Sequence, residues 1–325
     1  MEIKFSVVIP VYNGEKFIAE AIESVLNQEV PAHEVIVIDD GSKDGTAGIL
    51  ETYKGRVLAK TIPNGGASNA RNTGMAMASG NFIAFLDHDD IWFRPKLKKF
   101  KEAILRHPEV GLFCSDYVLR VHKFGNRLVK HYSAQHYRHL LNFDAPLREH
   151  PYKMLIREHF IGTPSAVVVK KNVADQAGPF KKIYQPSEDY DFWLRCAQLT
   201  RFMILSPPLI YKRTHDQNLS NDRLRTLEKH RQVLQNAITE HHDFIVARGL
   251  RKECLEALAR CTYDLGNTTF ETSRSREAFT HYWRGFLIRP TPSNGAVFFF
   301  SVLKKLVRLL TFDLLSRKTL TRGSR

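Results

Sequence analysis

The first ninety residues alternate between two hydrophobic patterns. Residues 5–11 (FSVVIPV) are an unbroken apolar run rich in β-branched side chains, as in a strand buried on both faces. Residues 14–27 switch to helical spacing, with Phe17, Ile18, Ala21, Ile22, Val25 and Leu26 on one face. The alternation then repeats. Residues 34–39 (EVIVID) predict a second strand, Asp44 caps a helix carrying Ile49, Leu50 and Tyr53, and residues 56–62 predict a third strand. Residues 67–78 predict a helix of small side chains closed by Gly80, and residues 82–86 (FIAFL) a fourth strand. Strands separated by helices of this length imply right-handed crossovers and a mostly parallel sheet. Ligands of such sheets sit beyond the carboxyl ends of the strands. Three polar turns fall there: Pro10-Val11-Tyr12-Asn13, Asp39-Asp40-Gly41-Ser42 and Asp87-His88-Asp89-Asp90.

Further along, residues 110–120 and 163–170 read as strands, and residues 188–199 as a helix with Tyr190, Trp193, Leu194 and Ala197 inward. Residues 121–160 are irregular and rich in His, Tyr and basic residues. From residue 221 the pattern is helical, over 223–248, 252–265, 276–288 and 297–315. The expectation is an α/β fold with one domain over residues 1–220 and a helical, basic region over residues 221–325.

Composition narrows the function classes. The 325 residues suffice for two domains, and 43% hydrophobic residues exclude a disordered chain. Uncharged stretches such as residues 290–303 fall short of the roughly 20 apolar residues of a bilayer span. No basic-then-apolar leader opens the chain, so a cytoplasmic protein is expected, peripheral on the cytoplasmic membrane face. Four cysteines form no CxxC pair, which favours buried, reduced thiols. The net charge of +14 is uneven: residues 1–211 carry 27 basic and 23 acidic side chains, and the remainder 21 and 11. A basic tail suits an anionic partner: a membrane surface, a nucleic acid or a phosphorylated substrate.

Five motifs carry candidate chemistry, each beside a plainer role. Asp87 and Asp89, at i and i+2 on a turn, can converge on a hard cation that also takes diphosphate oxygens. A helix cap would use Asp90 alone and leave the other acids unexplained. Asp39-Asp40-Gly41-Ser42 is a tight turn or a ribose and base contact. Residues 64–74 (NGGASNARNTG) place glycines before a helix, where N–H groups can face an anion, and Arg71 on it is either solvated or turned into the crevice. Glu188-Asp189-Tyr190-Asp191 places acids in a first helical turn, favourable for the helix dipole or as a general base. Residues 211–220 (YKRTHDQNLS) are a basic linker or a loop whose Arg213 and His215 close over a diphosphate.

Together these motifs resemble the family-2 glycosyltransferases of the GT-A fold, over roughly residues 3 to 220. SVVIPVYNGEKFIAEAIESVLNQ is similar to the family's opening strand and helix, VIVIDDGSKDGT to its second nucleotide-binding turn, and NGGASNARNTGMAMASGNFIAFLDHDD to the run into its DxD motif. SEDYDFWLRCA resembles its acidic catalytic motif and YKRTHDQNLS its closing loop. The resemblance implies an inverting transferase. Pro10 and Tyr12 would border the base, Asp40 would bind the base edge, and Arg71 would help hold the nucleotide. Asp87 would lie near ribose and metal, Asp89 would be the main ligand of Mg²⁺ or Mn²⁺, Asp189 the general base, and His215 near the diphosphate or metal. His88, inside the DxD, departs from the smaller residues common there.

The chemistry expected is transfer of a sugar from a nucleoside-diphosphate sugar to a hydroxyl of a saccharide or lipid-linked acceptor. A cation offsets the charge growing on the diphosphate, and a carboxylate takes the acceptor proton. A non-catalytic nucleotide-sugar-binding protein is the alternative, and the presence of Asp189 speaks against it. A nucleic-acid binder would pair its basic residues with aromatics on one face, whereas this crevice is acidic. The basic amphipathic pattern of residues 297–325 suits an anionic membrane surface, a helix packed on the domain, or a homodimer contact.

Overall fold

The computed structural model describes residues 2–121, 127–130, 138–215, 222–272 and 274–292, with 295, 296, 298, 299 and 303. The chain divides into two compact units, Met1–Asn221 and Asp222–Arg325.

The first unit is built on one sheet. Its strands are β1 (Phe5–Val11), β2 (Glu34–Asp39), β3 (Leu58–Thr61), β4 (Phe82–Phe85), β5 (Ile91–Trp92), β6 (Val110–Val121), β7 (Arg127–Lys130), β8 (Val167–Lys170) and β9 (Arg201–Lys212). They lie in the order β3-β2-β1-β4-β8-β6-β9-β5, and β7 pairs with β6. The first four neighbours are parallel, as is β6 with β9. Strand β8 enters antiparallel between β4 and β6, and β5 and β7 also pair antiparallel. Pro10 sits in β1 without cost to the ladder. The Val8 carbonyl faces β4 and accepts from Leu86 N–H, and residue 10 faces the same way where β4 pairing has ended.

Helices α1 (Ile18–Leu26), α2 (Thr46–Thr52), α3 (Ala67–Met77) and α4 (Lys96–Arg106) cover the parallel half. Ile18, Ala21, Ile22 and Val25 bury one face of α1 in the core formed by β1, β2 and β4. Helix α3 lies so close to β1 that a Cβ on Gly74 would come within 2.3 Å of the Val8 side chain. Gly80, expected as a helix cap, has a different task. A Cβ there would come within 2.5 Å of the Lys4 carbonyl, so it permits the close approach of the chain to the start of β1. Helices α5 (Pro151–Arg157), α6 (Lys171–Ala177) and α7 (Glu188–Leu199) follow. The irregular reading of residues 121–160 holds only in part, since α5 and β7 fall within it. Residues 163–166, expected as strand, form a 3-10 turn in which Thr163 caps Ser165 N–H and Pro164 offers no donor to a ladder.

The second unit contains α8 (Arg223–Glu240), α9 (His242–Ala247), α10 (Arg251–Glu271) and α11 (Ser275–Ile288). The single helix expected over 223–248 breaks at His241, a buried residue at φ −108° and ψ 24°. Ala259, Tyr263, Ala278 and Tyr282 join α10 to α11. All four cysteines are buried and none forms a disulfide, as expected. The helix expected over residues 297–315 lies outside the described residues, apart from 298, 299 and 303. Among the described residues no helix is long and apolar enough to cross a membrane.

Candidate active site

The turns after β1 and β2 interlock. Asn13, at φ 50°, donates its N–H to Ser42 Oγ, and its side-chain oxygen accepts from Lys43 N–H at 2.8 Å. Ser42 in turn donates to Asp39 Oδ1 through both N–H and hydroxyl. Gly14 N–H reaches Thr46 Oγ1, and Asp44 accepts from Thr46 N–H at the start of α2. Tyr12 stands 45% exposed at the rim, an accessible aromatic face beside buried Pro10.

Asp40 is committed to the glycine-rich turn. Its Oδ1 accepts from Gly65 N–H at 2.8 Å and its Oδ2 from Gly66 N–H at 2.7 Å. The two amides expected to meet an anion thus meet the protein's own carboxylate. Each Asp40 oxygen keeps a second lone pair for a further donor.

Arg71 is turned inward. It is 6% exposed, and its guanidinium donates to Asp87 Oδ1 and Glu188 Oε1, both at 2.7 Å. Burial works against the Arg71 charge, but Asp87 and Glu188 outweigh it and raise its pKa above the usual arginine value. Burial likewise opposes the Asp87 charge, and Arg71 reverses the balance, holding that carboxyl below the ordinary range. Burial raises Glu188. Arg71 therefore ties the end of β4 to the start of α7 by two charge-assisted bonds.

Around the acidic turn, Ser165 Oγ accepts from Asp87 N–H at 2.9 Å, and Thr163 Oγ1 lies 3.4 Å from both Asp87 Oδ2 and Asp90 Oδ2. Asp90 is buried, accepts from Arg213 N–H, and precedes β5, so it caps no helix. Burial, with Asp89 and Asp87 nearby, pushes it up to about 8. Asp89 Oδ2 stands 2.9 Å from His215 Nε2, whose ring stacks on Phe17 at 5.0 Å. Arg213 lies over the same phenyl ring at 5.1 Å and pairs with Glu20. The His88 ring leans against Gly14, where a Cβ would come within 2.8 Å.

A divalent cation fits this donor set in one form. Among the described residues no three His, Cys, Asp or Glu side chains converge as a protein cage. One or two carboxylates completed by substrate phosphates suit Mg²⁺, which is seldom held by a cage. Asp89 can supply one carboxylate, and Asp87 keeps Oδ2 clear of the Arg71 bond.

Helix α7 delivers the remaining acids to different places. Trp193 packs edge-on against Phe85, Phe192 stacks on Phe180 at 4.2 Å, and the Tyr190 hydroxyl donates to the Leu155 carbonyl. Asp189 is half-buried. Its Oδ1 accepts from Tyr190 N–H at 2.8 Å, and Oδ2 has no hydrogen bond to the described residues. Burial, with help from Asp87, outweighs Arg71 and lifts the Asp189 carboxyl to about 6. Asp191 faces the other way, bonded to Arg195.

Sequence reasoning missed four contributors. Thr163 and Ser165 brace the acidic turn, although T-P-S before a valine run reads only as strand. Lys212, at the end of β9, donates to the Gly162 carbonyl and bears electrostatically on Asp87, Asp90 and Asp189. Phe17, read as core of α1, carries both His215 and Arg213.

Comparison with known proteins gives a consistent picture. Residues 6–167 match the model of glycosyl transferase family 2. The chain is 29% identical over 233 residues to an Escherichia coli protein, the UDP-Glc:alpha-D-GlcNAc-diphosphoundecaprenol beta-1,3-glucosyltransferase WfgD, covering 70% of this chain and 84% of that one. The fold is shared with residues 1–349 of Staphylococcus aureus TarS, solved with UDP-GlcNAc, at TM-score 0.58, 22% identity, and 92% and 79% coverage. Against a longer TarS structure the match spans 53% of that chain, at TM-score 0.61. The mannosyltransferase PcManGT of Pyrobaculum calidifontis, solved with GDP-Man and Mn²⁺, gives TM-score 0.55 at 17% identity, covering 94% of this chain and 88% of that one.

Proposed function

The chain belongs to glycosyl transferase family 2 and is a nucleotide-sugar-dependent enzyme, and from that premise we propose that it transfers the sugar with inversion, using Asp189 as general base. The carrying observation is the pair of environments on α7: Asp189 keeps an oxygen open while Asp191 is bound to Arg195. The acceptor is a hydroxyl of a saccharide or lipid-linked glycan, in keeping with the acceptor named for the E. coli relative.

The acceptor oxygen attacks the anomeric carbon from the face opposite the diphosphate. A C–O bond forms as the bond to the phosphate oxygen breaks, and its electron pair leaves with the nucleoside diphosphate. The hydroxyl proton passes to Asp189 Oδ2. A positioned base of this kind contributes roughly 10²–10⁴-fold. Asp89 with Asp87 would hold Mg²⁺ or Mn²⁺, which would supply positive charge against the departing diphosphate. His215 orients Asp89 from the closing loop, Tyr12 and Pro10 border the base, and Asp40 offers its remaining lone pairs to the base edge. Arg71 holds Asp87 and Glu188 in register with the donor.

The test is a panel of UDP- and GDP-sugars, scored for thermal stabilisation of the protein and for Mn²⁺-dependent hydrolysis. Stabilisation without hydrolysis or transfer to any glycan acceptor would favour the non-catalytic binding protein instead. For residues 297–325 we propose attachment to an anionic membrane surface, at ~1 kcal/mol per basic residue near the surface. Charge reversal at Lys304 and Lys305 should then reduce pelleting with phosphatidylglycerol vesicles, and unchanged pelleting would rule the idea out.

A further inference from the structure

The second unit contains a cavity of about 560 Å³. Its size falls within the roughly 300–1,000 Å³ of small-molecule sites. It is a trough between α8, α10 and α11, and side chains spaced three to seven along each helix line it. Leu258 on α10 and Leu287 and Ile288 on α11 form apolar walls. Arg231 on α8 and Arg284 on α11 add two positive charges, and among the described residues no acidic side chain lines the space.

The two arginines differ in commitment. Arg231 is half-buried and donates to Gln235 at 2.7 Å, which orients it with donors to spare. Arg284 is exposed and has no hydrogen-bond or ion-pair partner among the described residues. His281 also lines the cavity, and both its ring nitrogens are shielded from water and bonded to no described residue. Burial pushes its pKa down, so at neutral pH the ring is an uncharged wall rather than a third cation.

Hydrocarbon walls and uncompensated guanidinium groups call for a ligand with both characters. We infer that this trough binds an anionic amphiphile, with a phosphate-type head between Arg231 and Arg284 and an aliphatic chain against Leu258, Leu287 and Ile288. Guanidinium groups suit such a head because their planar forks match phosphate oxygens. The aliphatic chain supplies affinity by leaving water. A neutral surfactant would leave Arg284 without a counter-charge, and a free anion would leave the apolar walls wet.

Isothermal titration of the full chain with decyl phosphate, below its micellar concentration, should reveal one site per chain. Decyl maltoside has the same alkyl chain without the charge, and inorganic phosphate the charge without the chain. Each should bind at least tenfold more weakly. The double variant Arg231→Gln/Arg284→Gln removes an exposed charge at 284 and leaves an amide at 231 that can still donate to Gln235, so it should keep its melting temperature while losing at least tenfold in decyl phosphate affinity. The inference is overturned by equal affinity for decyl maltoside, by equal affinity for phosphate alone, by undiminished binding in the double variant, or by no binding at all. None of these results bears on sugar transfer, which is read separately with nucleotide sugars.

Discussion

Arg195 holds Asp191 from one turn further along the same helix, with Nε and Nη2 both donating to Asp191 Oδ2 at 3.0 and 2.7 Å. Lys181 adds a second cation at 3.7 Å. Asp191 is therefore spent on anchoring α7 to the segment around Ala177 and Pro179, whose carbonyls also receive Arg195. This contrast with Asp189 yields the sharpest test. Asp189→Asn should leave donor binding near normal while transfer falls by at least ~100-fold. Asp191→Asn should instead cost about 3 kcal/mol of stability, as expected for a broken buried ion pair. If saturating transfer survives in Asp189→Asn, the base assignment is wrong.

Metal dependence should separate two neighbouring acids. Chelation with EDTA should abolish donor binding, and added Mn²⁺ should restore it. Asp89→Asn should weaken the metal response of donor affinity more than Asp87→Asn, because Asp87 already gives one oxygen to Arg71. The order should reverse for melting temperature, since Asp87→Asn takes a charge partner from a buried guanidinium. Full turnover in EDTA would remove the cation from the reaction.

As the proposed base, the Asp189 carboxyl, lifted by burial to about 6 from an ordinary 3.8, should set the acid limb of activity. A base must be deprotonated to accept a proton, so kcat/KM should rise with pH through a midpoint near that value. Stability should run the other way. Between the unfolded and folded values the native chain binds the extra proton, so this group favours the fold at low pH and loses that contribution as pH rises through 6. A pH–rate profile whose acid limb falls near 4 would contradict the assigned environment.

Gly74 tests the packing that carries Arg71. A methyl group there would meet Val8 Cγ1 at 2.3 Å, and Val8 belongs to a central strand that cannot step aside. Gly74→Ala should cost about 1–3 kcal/mol through overpacking. At roughly 2–4 °C per kcal/mol the loss is measurable by calorimetry. An unchanged melting temperature would mean that α3 shifts freely on the sheet.

Strands β1, β2 and β4 were readable because a strand buried on both faces leaves a continuous apolar run, as in 5–11, 34–39 and 82–85, whereas β3 is exposed along its length and leaves no such run. The reading failed where side chains decide the backbone. Thr163 and Pro164 turn an apparent strand into a 3-10 turn, and His241 interrupts a stretch that periodicity made continuous. Candidate site residues were visible as types at strand ends, but their pairings were not. Arg71 meets Asp87 and Glu188 across 16 and 117 positions, and no periodic pattern encodes a contact at that separation. The commitment of Asp40 to Gly65 and Gly66 was hidden for the same reason, since any acid in a tight turn looks the same in sequence.

That commitment governs how the site can be re-engineered. Asp40 belongs to the turn after β2 and its two amide partners to the turn before α3, while Asn64 also donates to the Asp40 carbonyl at 3.0 Å. Gly41, at φ 75°, passes so near this turn that a Cβ would lie 3.2 Å from both Asn64 N and Ile62 O. The two segments are a single transplantable cassette written in two places in the chain. A graft of residues 62–66 from a homologue with different donor preference, made without residues 39–42, would bring amides shaped for one carboxylate to face another. Donor-specificity chimeras should therefore exchange both segments together.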